Sequence, residues 1–461
     1  MAEFGNSPAA RDVASVLHPY TNLRQHVDSG PHLIEQGRGI YVYDDAGKEY
    51  IEGLAGLWCT SFGFGEDELV EAATAQMKKL PYYHLFAGKG TNPSIDLAEK
   101  LLQMAPANFS KVFFANSGSE ANDTMIKMVW YYNNAVGRPE KKKIIARLRG
   151  YHGVTIAAGS LSGLPYVHTA FDLPIERIRH TVCPDFYHGG KAGESEAEFT
   201  DRMADELDAL IQGEGPETVA AFVAEPIMGA GGVILPPAGY FPKIQAVLKK
   251  YDVLMVADEV ICGFGRTGNM WGSDTFDIVP DILTCAKALS SAYLPISAVM
   301  IPEPMFAAFQ KQSAELGTFG HGFTYTGHPV CAAVALRTLE LMEERQILAH
   351  VRRVAPRFQE RLKANAEHPL VGQTRGIGLI GAVELSADKA SRKPFDPALR
   401  MGARLAAMAQ EEGLIVRPLP GDCIGFCPPL IIDEPQIDEL FDRFERALAR
   451  FTHETRTRAA E

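Results

Sequence analysis

The sequence predicts an α/β protein: a large domain on a mostly parallel sheet, with a smaller α+β domain drawn from both termini. Three observations carry this expectation. The middle of the chain alternates short β-branched runs with amphipathic stretches of helical period, the pattern of parallel strands covered by helices. Its 461 residues are too many for one simple core. A hairpin pattern near the start also has a second strand-rich stretch near the end into which it can pack.

Taken in order, residues 41–56 (YVYDDAGKEYIEGLAG) alternate aromatic and polar side chains around Asp45 and Gly47, which predicts a hairpin with its bend there. Six strands are then expected, starting at Lys111 (KVFFAN), Lys142 (KKIIAR), Val219 (VAAFVAEP), Val253 (VLMVADEV), Asp281 (DILTCAK) and Ser297 (SAVMIP). Between them lie helices over 120–134 and 198–211, the second with Phe199, Met203, Leu207, Leu210 and Ile211 on one face. A long helical stretch from Val330 leads to GLIGAVEL, a helix near 398–412, then LIVRPL and CIGFCP. The expected division is 1–60 as the N-terminal part of the small domain, 61–328 as the large domain and 329–461 as the C-terminal part of the small one. The first dozen residues and the last ten are expected to be loosely ordered.

Composition removes several function classes. A net charge of −12, from 45 basic and 57 acidic residues, leaves no phosphate-neutralising surface for non-specific binding to nucleic acid or an anionic membrane. No basic start followed by an apolar run is visible and no stretch reaches membrane-spanning length, so a cytoplasmic protein is expected. The seven cysteines are odd in number and scattered, which predicts free thiols. Cys423 and Cys427 are close, but no second pair or histidine stands near them, so no metal is expected there or elsewhere.

The informative stretch runs from Asp258 to Lys287. It sets a carboxylate at the end of an apolar strand and a lysine at the end of the next strand-like run, the pair needed to hold a pyridine-aldehyde cofactor by its ring nitrogen and its aldehyde. A lysine with an ordinary pKa of about 10.4 is a poor nucleophile, but an apolar site helps it lose its proton. Taken singly, each residue is also what a strand-edge acid or a snorkelling lysine looks like. Their neighbours shift the balance. Ser117-Gly118-Ser119-Glu120 comes after a strand, has capping-box spacing and leaves amides at a positive helix end, a natural phosphate seat. Tyr151, between Gly150 and His152, could stack on a flat ring, or else cover the core. His152 by itself reads as structural, and the hydroxyl-rich run His321–Pro329 could add a second phosphate contact. Gly263–Gly268 (GFGRTG) formally fits the dinucleotide fingerprint, but the residues after Gly268 do not read as the long helix that fingerprint needs.

Together NSGSEAND, RGYHG, AEPIMGAGG, ADEVICGFGRTG, CAKALSSAY and FTYTGHPV resemble the class III aminotransferases of the pyridoxal-phosphate fold type I superfamily, over nearly the whole chain. GLWCTSFGFG, YYHLFAG, SEANDTMIKMVWYYNN and IVRPLP resemble the omega-transaminases that move amino groups from amines to pyruvate. The resemblance implies pyridoxal 5'-phosphate as cofactor, Lys287 as its Schiff-base lysine and Asp258 on its pyridine nitrogen. Tyr151 and Val260 would face the two sides of the ring, and Glu225 would sit close behind it. Gly118 and Ser119 would bind the phosphate, joined by Thr324 of a neighbouring subunit, which implies a homodimer with shared sites and leaves a tetramer open. Trp58, Phe86 and Tyr151 would line the substrate pocket, and Arg417 would take the acceptor's carboxylate.

On these roles the expected reaction passes an amino group from an amine or omega-amino acid, through pyridoxamine phosphate, to pyruvate or a similar 2-oxo acid. A diamine, beta-alanine or taurine aminotransferase would use the same cofactor residues, as would a decarboxylase or aminomutase. An NAD-dependent dehydrogenase rests on the glycine run alone and leaves Lys287 and Asp258 without roles.

Overall fold

The computed structural model describes residues 6–460. Its centre is a seven-stranded sheet: β1 Phe109–Ala115, β2 Lys143–Arg147, β3 Ile178–Thr181, β4 Val219–Ala224, β5 Leu254–Asp258, β6 Ile282–Cys285 and β7 Ser297–Pro302, in the order β1-β7-β6-β5-β4-β2-β3. Strands β3, β2, β4, β5 and β6 pair in parallel, and β7 runs antiparallel to both of its neighbours. All six expected strands are present. They were legible because a sheet covered on both faces needs near-continuous apolar runs, and every residue of β4 and β6 is buried. The unexpected seventh, β3, is an edge strand reading IRHT with its middle pair half-buried, so it carries no apolar run.

Helix Glu196–Glu214 starts with the full capping box of Ser195 and Glu198 and buries Phe199, Met203, Leu207 and Ile211, with Leu210 partly covered. Helix Gly118–Ala135 packs Met125, Ile126 and Val129 into the core of the sheet's other face. Loop 263–268 leads only into the four-residue helix Gly272–Thr275, so the glycine run lacks the helix a dinucleotide site requires. Arg266 in that run is buried, donating to the carbonyls of Leu379 and Pro428.

The N-terminal hairpin pairs with the C-terminal stretch. Hairpin strands Tyr41–Asp44 and Glu49–Glu52 pair with each other, and Glu49–Glu52 also pairs in parallel with Leu414–Ile415. A second small antiparallel sheet holds Val371–Ile377, Ile380–Leu385, Cys423–Phe426 and Arg417–Leu419. Helix Pro329–Glu344 packs on helices Asp67–Lys79 and Asn92–Met104.

The two ends differ from the loose order expected of them. Pro8–Ser15 is a helix whose cap, Ser7, accepts from the Ala10 amide, although it buries no residue. Glu434–Ala460 is one helix that buries Phe441, Phe444 and Phe451. The polar run after Phe451 hides this, because its apolar stripe ends before the helix does. Residues 1–5 and 461 lie outside the described residues. Among the described residues no helix is long and apolar enough to cross a membrane.

Candidate active site

The carboxyl ends of a parallel sheet are where open α/β folds leave a crevice, because the chain departs there in diverging crossovers. Here β1 leads to Gly118, β2 to Tyr151, β4 to Glu225, β5 to Asp258 and β6 to Lys287. These residues line one cleft of about 130 Å³, with Ser119, Asn122, His152, Gly153, Val260 and Ile261.

Two adjacent carboxylates end β5, and strand alternation sends them to opposite faces. Glu259 turns from the cleft. It accepts from the amides of Gly272 and Ser273 and the Ser273 hydroxyl at 2.6–2.9 Å, and burial pushes its pKa up to about 7. Asp258 turns into the cleft. Its Oδ2 accepts from Asn122 Nδ2 at 2.9 Å and lies 2.7 Å from His152 Nδ1, while Oδ1 accepts from the Val260 amide at 3.1 Å. Asn122 is itself oriented by Thr284 Oγ1, which donates to its Oδ1, and by its own bond to the His152 carbonyl. Asn122, His152 and Thr284 thus hold the aspartate, and sequence reasoning missed all three in this role. The Asn122 signal was present: it lies one turn into the helix that opens at Gly118.

Lys287 comes just after β6 with φ +48°, in the left-handed region that costs a non-glycine residue energy and that clusters at functional sites. Its side chain is partly accessible through the cleft and otherwise enclosed by protein. Burial lowers its pKa, opposed by Cys59, Asp258 and Glu225 nearby. No hydrogen bond or ion pair to its amine is found among the described residues. Glu225 is buried as well, accepting from the amides of Tyr151 and Gly229 at 3.0 Å, and burial raises its pKa.

At the helix end, Ser117 accepts from the Glu120 amide, but Glu120 reaches back to the backbone and side chain of Asn116 rather than to Ser117. The expected capping box is therefore half formed. The first amides, on Gly118 and Ser119, have no carbonyl a helical turn behind them and remain as donors. Ser119 Oγ accepts from the Val154 amide at 3.1 Å. Gly118 and Gly153 are needed for fit. A Cβ on Gly118 would meet Val260 at 3.2 Å, and one on Gly153 would come within 2.5 Å of Ser119 Oγ.

Further out, Tyr151 receives a hydrogen bond from the Tyr20 hydroxyl at 3.3 Å, a contact spanning 131 positions that the sequence did not suggest. Tyr20, Val154, Ile156, Tyr166, Phe171 and Leu173 line an apolar concavity of about 700 Å³ beside it. Arg417 lies within electrostatic reach of Tyr20, Tyr151 and Tyr166, and among the described residues no carboxylate pairs with it. Trp58 is buried, with φ +65°, in a cluster with Leu54, Ile227 and the cleft residue Ile261.

Phe86 and Thr324 are not brought to this cleft within one chain. Phe86 is half-exposed and lines a separate concavity of about 1000 Å³ with Leu85, Phe319, His321 and Gly322, where a Cβ on Gly322 would meet its ring at 3.1 Å. Thr324 is exposed on the neighbouring turn, its carbonyl accepting from Tyr82 at 2.8 Å.

The main cleft combines an unpartnered lysine of lowered pKa, a buried and oriented carboxylate, helix-end amides and a tyrosine. That donor set suits an aldehyde, a pyridine nitrogen, a phosphate and a planar ring, so pyridoxal phosphate fits the residues present. Residues 24–448 match the model of the family "Aminotransferase class-III". Gamma aminobutyrate transaminase 3, chloroplastic, of Solanum lycopersicum is 52% identical over 434 residues, covering 94% of this chain and 83% of the relative. The omega transaminase from Pseudomonas jessenii in complex with PMP is 53% identical with a TM-score of 0.96, over 97% of this chain and 98% of that one. The W58M/F86L/R417L variant of a thermostable omega transaminase, engineered for asymmetric synthesis of enantiopure bulky amines, is 52% identical with a TM-score of 0.96, over 97% of this chain and 99% of that one. Fold, cleft chemistry and these likenesses agree: the chain belongs to the class III aminotransferases, enzymes of fold type I that use pyridoxal phosphate to move an amino group from an amine to a keto acid.

Proposed function

We propose that this aminotransferase takes its amino group from an amine or omega-amino acid and delivers it to pyruvate or a similar small 2-oxo acid, in a homodimer with shared sites. The observation that carries the reading is Arg417: a guanidinium with no carboxylate partner among the described residues, within electrostatic reach of Tyr20 and Tyr166, which line an apolar concavity. A planar cation there suits the acceptor's carboxylate, and the apolar wall suits a donor that has none. The W58M/F86L/R417L variant supports it, since its substitutions carry the residue types and numbers of Trp58, Phe86 and Arg417 here.

The roles rest on the geometry. Bound pyridoxal phosphate supplies an aldehyde that takes up the amino group and a ring that accepts the electron pair of the broken C–H bond. Lys287 would hold the aldehyde end of the cofactor. Its amine, when free, would serve as base at the substrate's α-hydrogen, because burial favours its neutral form. Asp258, held by Asn122 and His152, keeps the proton on the ring nitrogen, with Glu225 behind it. Tyr151 and Val260 would face the two sides of the ring, Gly118 and Ser119 would hold the phosphate, and Trp58 would close the apolar wall.

Phe86 and Thr324 stand apart from the cleft but beside each other's loops, among the exposed Tyr82, Tyr83 and Tyr325. Such an aromatic face suits a second copy of the chain, which would carry both residues into the partner's cleft. The seven unbridged cysteines support a reducing, cytoplasmic setting.

The test is kinetic. Arg417→Ala should raise KM for pyruvate far more than KM for an aryl-alkyl amine, and equal losses would overturn the reading. A second reading, 4-aminobutyrate as donor, is favoured by the 52% identical plant relative. Turnover of 4-aminobutyrate but not of an aryl-alkyl amine with pyruvate would select it.

A further inference from the structure

We propose that Asp12, His18 and His26 form a binding site for a divalent metal ion of the zinc class, which clamps the N-terminal segment beside the cleft. His18 Nε2 lies 2.8 Å and His26 Nε2 3.1 Å from Asp12 Oδ1, and the three donor atoms all fall within 4.8 Å of one another. His18 Nε2 is also 3.0 Å from Asp12 Oδ2. Among the described residues no other three His, Cys, Asp or Glu side chains converge so closely. Ligands about 2.0–2.2 Å from a tetrahedral ion sit roughly 3.3 Å apart, so the two histidine–aspartate pairs need to open by only a few tenths of an ångström, with the two imidazole nitrogens, within 4.8 Å of each other, settling at a like spacing.

The donor set selects the ion. Two imidazoles and one carboxylate suit zinc, cobalt and their neighbours rather than calcium or magnesium, which take oxygen. The site opens to one side: the His26 side chain is 9% exposed, Asp12 18% and His18 27%. Water can complete the shell through that opening. The ligands span helices Pro8–Ser15 and Leu23–Ser29 at separations of 6 and 14 positions, a pattern outside the cysteine-based spacings on which the sequence expectation of no metal rested.

Position supplies the consequence. Between His18 and His26 runs the turn that carries Tyr20, at φ +51°, whose hydroxyl donates to Tyr151. An ion bridging Asp12 to both histidines ties that turn down at both ends and so holds Tyr20 against the cleft tyrosine.

The test uses the pyridoxal-phosphate-loaded enzyme, dialysed against a chelator and titrated with zinc alone. One zinc per chain should bind, and it should raise Tm through preferential binding to the folded state. His18→Gln and Asp12→Asn should each weaken that binding by more than the roughly 10–100-fold that losing an outer hydrogen-bond partner costs. Both should keep the cofactor's visible band, since helix Pro8–Ser15 buries no residue. No stoichiometric uptake by the unmodified enzyme, or uptake by both variants as tight as that of the unmodified enzyme, overturns the site and leaves a histidine pair sharing a carboxylate.

Discussion

The inner wall of the cleft and its outer rim are built on opposite principles. Inside, each oxygen of Asp258 is met by a donor, the donors are oriented in turn by Thr284 and by the backbone, and all of it is buried. At the rim, Arg417 has no carboxylate partner among the described residues and Tyr20 is 57% exposed, bonded to Tyr151 through a single hydroxyl pair. A desolvated network whose central carboxylate is met at both oxygens holds one geometry and suits a step that is the same for every substrate. An unsaturated rim leaves donors and apolar surface for substrates that differ. The contrast separates what performs the proton chemistry from what selects the molecule.

The largest effect should come from breaking the inner wall at Lys287. Lys287→Ala should abolish multiple-turnover transamination while cofactor still binds, as read by amino acid formed from added pyruvate. Residual steady turnover would sink the lysine's role. Asp258→Asn should lower kcat/KM by about 100-fold or more for every donor alike, the scale of losing one preorganised electrostatic partner. Loss confined to one donor would erase the distinction between wall and rim.

At the rim the effects should be smaller and selective. Beside the Arg417→Ala split in KM, Tyr20→Phe should change donor KM by no more than about tenfold and leave kcat near its starting value, because it removes one part-exposed hydrogen bond of about 0.5–1.5 kcal/mol.

A pH measurement sharpens the same contrast in the cofactor-free protein. Lys287 has a folded pKa below its ordinary 10.5, so between the two values the unfolded chain binds more protons and stability rises with pH. Lys287→Met should flatten that part of the rise, seen as the difference between the two stability profiles. Parallel profiles would mean that the lysine is not desolvated.

Much of the inner wall was legible. Gly118, Tyr151, Glu225, Asp258 and Lys287 each lie at or just beyond a strand whose apolar run marks it, and a parallel sheet gathers such ends at one edge. The residues that orient Asp258 were less visible because they come from a helix, a loop and a different strand and carry no shared pattern. Tyr20 and the Asp12–His18–His26 group were hidden further, lying at or just beyond a polar start that was expected to be loosely ordered and carrying no motif spacing. Phe86 and Thr324 were singled out by the resemblance but belong to another face of the chain, which no linear spacing reveals.

The sequence by itself determined the chemistry on offer: apolar strands ending in an acid, a lysine and a glycine-serine helix start can be read without coordinates. Only the tertiary structure decided which of Asp258 and Glu259 enters the cleft, since alternation sends neighbours to opposite faces but only the packed crossovers say which face holds the cleft. It also decided that Arg417 has no carboxylate partner among the described residues and that Phe86 lines a different concavity from Lys287. Pairing and separation in space are properties of the packed chain, and local sequence preference does not contain them.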